Sequence, residues 1–74
     1  MTLQDLKSLL AAGDFHHATQ RHDIAPGLHI YRKGGPYAFR GYSHVGYFSD
    51  SDKDLIRAAH ELVRKTGVYE GTYR

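Results

Sequence analysis

The sequence predicts a small α+β domain: two amphipathic helices packed on one face of a three- to four-stranded antiparallel sheet. Three observations carry this expectation. Leu3, Leu6, Leu9 and Leu10 fall on one helical face near the start of the chain. Leu55, Ile56, Ala59, Leu62 and Val63 form a second such stripe near its end. Between them lie short alternating runs broken by glycine, with Gly34-Gly35 at the centre.

The 74 residues make one domain, 1–74. A domain of this size buries only about 60% of the surface its unfolded chain exposes. Small scaffolds often add disulfides, a metal or a partner copy. The chain has no cysteine. A tight core, a histidine-bound metal or a dimer is left. An apolar fraction of 41% and a charged fraction of 24% are ordinary for a folded domain.

The first helix is placed at 3–12. Thr2 offers a hydroxyl to an orphan backbone N–H, and Asp5 sits near the positive end of the helix dipole. Asp5 stands where a capping box prefers Glu. Gly13 closes the helix. Residues 15–22 read equally as a strand or a loop. Pro26-Gly27 marks a turn. The clearest strand is 28–33. Gly34-Gly35 then suggests a two-residue hairpin turn to a second arm at 37–42, because glycine reaches positive φ without strain. A short third strand is expected at 44–48. The second helix starts around Ser49-Asp50-Ser51, where Ser51 and Asp54 repeat the Thr2 and Asp5 spacing, and ends at Gly67. The tail, 68–74, either adds an edge strand or stays loose.

A two-residue turn at Gly34-Gly35 sets Lys33 opposite Pro36, Tyr31 opposite Ala38 and His29 opposite Arg40. Leu28, Ile30 and Phe39 then face the core. The other face carries His29, Tyr31, Lys33, Arg40 and Tyr42. Rings can stack on bases and cations can neutralise phosphates, so this face is the expected binding surface for nucleic acid. The plainer reading is a solvated face held by cross-strand pairs. A one-residue slip in register would exchange the two faces.

The chain has six histidines and six tyrosines. His16, His17 and His22 lie close together, flanked by Asp14 and Asp23. His17 and His22 are the weak metal candidates, but their spacing matches no standard zinc signature. No cofactor is expected. The same histidines suit acid–base work, because imidazole titrates near neutrality.

The helix–strands–helix order, with Phe15-His16-His17 after the first helix, resembles HicA-type toxins. That resemblance implies a double-stranded-RNA-binding-like fold that cleaves RNA through one histidine, which would be His17. Where those proteins carry a Gly-Ser run before that histidine, this chain has Gly13-Asp14-Phe15. Val45-Gly46-Tyr47-Phe48-Ser49-Asp50 resembles the last strand of DNA-binding domains in which a three-stranded sheet precedes a helix. The tryptophan characteristic of those domains is absent. Both are likenesses of fold, and fold alone does not carry function.

The formal net charge is +2, too small to mark a nucleic-acid binder by itself. Lys53, Arg57, Arg64 and Lys65 interleave with Asp54 and Glu61 as a solvated helix face. No apolar run approaches the roughly 20 residues of a membrane span. The first residues carry Asp5 and no basic leader, so cytoplasmic residence is the default expectation. Tyr69 and Tyr73 in the tail, with the small core, favour a homodimer over a monomer.

The leading expectation is a non-catalytic nucleic-acid-binding protein. Its rivals are a protein-interaction or inhibitory module and a His17-dependent ribonuclease.

Overall fold

The computed structural model describes residues 1–34, 41–65 and 70–73. Helix α1 (Leu3–Ala12) is followed by strands β1 (Phe15–Arg21), β2 (Gly27–Lys33) and β3 (Tyr42–Ser49), helix α2 (Lys53–Lys65) and strand β4 (Glu70–Tyr73). The α+β architecture expected from the sequence is present. β1, β2 and β3 pair antiparallel, and 15–22 is a strand for all but its last residue. β4 completes the order β3-β2-β1-β4, but it joins β1 in parallel, unlike the all-antiparallel expectation. The cause is α2, which carries the chain from one sheet edge to the other.

α1 begins with a complete capping box. Thr2 Oγ1 accepts from the Asp5 N–H and Asp5 Oδ2 accepts from the Thr2 N–H, each at 3.1 Å. Aspartate therefore serves where glutamate is usual. Gly13 closes the helix in the left-handed region at φ 75°. α2 starts later than expected. Its cap is Asp52, whose Oδ1 accepts from the Leu55 N–H at 3.0 Å. Ser51 instead bonds Ser49. The expected end at Gly67 lies outside the described residues.

Leu6 from α1 and Ala59 and Val63 from α2 are buried against Ala18, Leu28, Ile30 and Phe48 from the sheet. Both helices thus cover one sheet face. Gly27 is fixed by close approach. A Cβ there would lie inside the van der Waals envelope of the Phe48 carbonyl oxygen.

The expected two-residue hairpin is corrected. β2 pairs with 42–49, and Lys33 faces Tyr42; residues 35–40, where the expected turn and second arm fall, lie outside the described residues. Past the strand ends, the Gly34 N–H donates to the Gly41 carbonyl at 2.9 Å and Ser43 Oγ donates to the Gly34 carbonyl at 2.7 Å. Pairing with the longer strand sets Phe48 opposite Leu28 in the core, the place Phe39 was expected to fill. The expected pairs Tyr31–Ala38 and His29–Arg40 become Tyr31–His44 and His29–Tyr47. Phe39 and most of the expected 37–42 arm lie outside the described residues.

Two bulges set which side chains face outward. In β1 the register shifts between Phe15 and His17, leaving His16 as the extra residue. In β3 the partner of Ile30 is Gly46 and that of Tyr31 is His44, leaving Val45 extra. An extra residue breaks strict alternation. Val45 and Phe15 consequently pack on the core, while His44 and His17 turn to the opposite face.

Candidate functional site

The sheet face away from the helices carries a continuous cluster of rings built from three strands. Tyr31 stands at its centre. His17 of β1 stacks on Tyr31 with centroids 4.5 Å apart, and His44 of β3 meets it edge-on at 5.3 Å. His29 stacks on Tyr47 at 5.0 Å and lies 5.1 Å from His44. His16 meets His17 edge-on at 4.9 Å.

Burial divides this cluster. His29 is fully buried and Tyr31 only 6% exposed. His44 is exposed and His17 half-buried, while Tyr47 is 41% exposed. His29 and Tyr31 were expected as surface contacts. They lie on the expected face, but neighbouring rings cover them. The rings that meet solvent are His17, His44 and Tyr47. Lys33 and Tyr42 are paired in the backbone at the far end of β2, with side chains outside the described atoms. Arg40 lies outside the described residues.

A polar network runs beneath the rings. The Nε2 of His29 lies 2.7 Å from the Ala25 carbonyl, and its Nδ1 lies 2.9 Å from His44 Nε2. A carbonyl only accepts, so His29 Nε2 carries a proton. Its Nδ1 and His44 Nε2 share the second hydrogen bond, one donating to the other. The buried imidazole is thereby satisfied at both nitrogens, as burial requires.

Arg21 closes the other side. Its Nη1 donates to the Tyr31 hydroxyl at 2.8 Å, and its Nε donates to Asp23 at 2.9 Å. Hydrogen bonds from Arg21 lower the Asp23 carboxyl below its ordinary value, and those with Asp23 and Tyr31 raise the Arg21 guanidinium. Burial lowers His17, reinforced by the charge of His16. Burial also lowers His44, reinforced by His29 and Arg21. His17 and His44 are therefore both biased toward neutral imidazole.

His22, paired with His17 as a metal candidate, is exposed in the turn after β1. Among the described residues no group of three or more His, Cys, Asp or Glu could hold a metal ion. No described helix is long and apolar enough to cross a membrane.

His29 and Tyr31 were legible from strand alternation. His44, Tyr47 and Arg21 were missed. The available signal was the three-residue spacing of His44 and Tyr47 around Val45-Gly46, which fits one face only if the strand is bulged.

No protein-family model, curated protein or solved structure matches this chain.

Proposed function

We propose that the protein binds single-stranded nucleic acid on the ring-lined face of its sheet. The observation that carries this reading is that the exposed His44 and Tyr47 and the half-buried His17 lie over one continuous ring cluster, beside Arg21. Splayed bases stack on such rings at about 1–3 kcal/mol each. Duplex bases are already stacked and cannot use them. Lys33 and Arg40 remain the cations assigned to phosphate, joined by Arg21. Because Arg21 is already bridged to Asp23, stacking rather than charge supplies most of the affinity, and salt dependence is shallow.

The test is titration of labelled single-stranded and duplex oligonucleotides at low and moderate salt. Saturable binding of single strands in preference to duplex supports the reading. Tyr47→Ala then weakens binding by roughly 5- to 150-fold, the equivalent of one stacked base. Equal affinity of wild type and Tyr47→Ala removes the face from the argument.

A protein partner is the second reading. Ile24 is 62% exposed in the turn that supplies the Ala25 carbonyl to His29, and Tyr47 lies over the same histidine. An apolar residue and a tyrosine at one site are common anchors of protein interfaces. Recovery of one nuclease-insensitive protein partner, lost in Ile24→Asp, would favour it.

A further inference from the structure

We propose that β3 is a self-pairing edge: two copies of the chain join β3 to β3, antiparallel about a two-fold axis, and merge their sheets into one. The proposal concerns the outer edge of β3 and does not depend on what the ring-lined face binds. The sequence pointed to a dimer through the tail, whereas β3 lies at the opposite edge of the sheet from β4.

β3 ends the strand order β3-β2-β1-β4, and among the described residues only β2 pairs with it. An edge strand turns a row of N–H and C=O groups outward, ready to pair with another chain. Folds usually blunt such an edge with charge, proline or shortness. β4, at the other edge, has four residues and carries Glu70. β1 carries Arg21, and β2 carries Arg32 and Lys33. β3 runs for eight residues, Tyr42–Ser49, and has no Asp, Glu, Lys, Arg or Pro.

The bulge at Val45 selects a second copy as the occupant. His44 and Tyr47 turn to the ring-lined face. Val45 packs on the core. A Cβ at Gly46 would come within 3.0 Å of the Met1 side chain, which also packs on the core. From His44 to Tyr47 the order is therefore ring face, helix face, helix face, ring face, the same in both directions. The midpoint of β3 falls between Val45 and Gly46. Antiparallel pairing about that midpoint overlaps the whole strand. It sets His44 opposite Tyr47 of the second copy and Val45 opposite Gly46 of the second copy. Each of these residues then meets one on its own face. A strictly alternating strand of the same length cannot do this, because full overlap would set residues of opposite faces against each other. An extended peptide without a matching bulge loses step at Val45. A bulge that would otherwise end pairing thus matches the strand to its own copy. The His44 and Tyr47 pair forms twice across the seam and joins the two ring-lined faces.

A single strand pair is a small interface, so the dimer forms with rising concentration. The purified full chain is sedimented from about 10 μM to about 1 mM, the range in which weak interfaces associate. The expected mass rises toward twice that of one chain. A mixture of isotope-labelled and unlabelled chains should show contacts between copies from His44 to Tyr47 and from Val45 to Gly46. Val45→Lys, verified as folded by circular dichroism, sets like charges beside the axis and raises the dissociation constant by about 10-fold or more. If that variant does not fold, the contacts between copies decide alone. A single-chain mass across the whole range overturns the proposal. So does a dimer whose contacts lie at β4, or a folded Val45→Lys that associates as the wild type does.

Discussion

His44 Nε2 lies 2.9 Å from Nδ1 of the fully buried His29, and the bulge at Val45 is what brings the two together. Strict alternation from Tyr47 would turn His44 toward the helices. One extra residue returns it to the face where His29 lies. The pair is structural before it is anything else, because His29 is fully buried and a buried polar group needs a partner.

His44→Ala should therefore destabilise the fold although His44 is exposed. Leaving the buried His29 nitrogen unpaired costs about 1–3 kcal/mol. Urea unfolding at pH 8, above the ordinary histidine range, measures this. A change of only a few tenths of a kcal/mol would show that the hydrogen bond contributes little.

Stability should fall as pH drops below about 6.5. His17 and His44 both titrate lower in the folded chain than in the unfolded chain. The unfolded chain thus binds more protons across the window beneath the unfolded value, and protons favour it there. The stabilisation is present above that value and is lost as pH falls through the folded ones. Asp5 and Asp23, both lowered from 3.8, add a second loss at more acid pH. Urea midpoints between pH 8 and pH 3 should decline in these two stages, and His17→Ala should shrink the first. A flat midpoint from pH 8 to pH 5 contradicts the assignment.

The helices were legible because their signals are local. The Thr2 and Asp5 box and the Leu3, Leu6, Leu9 and Leu10 spacing lie within one short segment. The sheet was legible in type but not in register. Gly34-Gly35 is a sound turn signal, yet the longer connection wins because it pairs β2 along its length with 42–49 and buries Phe48. That gain is tertiary and leaves no local mark at Gly34.

The site was half legible for a related reason. Alternation placed His29 and Tyr31 on the right face. It could not show that His17, His44 and Tyr47 cover them, because each arrives from another strand and two arrive past bulges. Likewise, α2 hid its start, since Ser49, Ser51 and Asp52 all qualify as caps and only geometry selects Asp52.

Asp52→Ala should remove that cap and cost about 1 kcal/mol, whereas Ser51→Ala should cost less. Thermal unfolding followed by circular dichroism ranks the two. The reverse order would assign the helix start to Ser51, as the sequence suggested.

Gly27→Ala should destabilise by about 1–3 kcal/mol or more, the range of overpacked sites. The added methyl meets the Phe48 carbonyl oxygen, which is backbone and cannot swing aside. A denaturant midpoint equal to wild type would mean that β2 and β3 separate easily at this end.

The most direct test of the ring-lined face is a nuclear magnetic resonance titration of the isotope-labelled chain with a 2′-O-methyl single strand at low salt. The account expects the largest shifts at the side chains of His17, His44 and Tyr47 and at the amides of β1 to β3, with the outer surface of α2 unmoved. Shifts centred on Lys53, Arg57 and Arg64 of α2, or none at all, would contradict it.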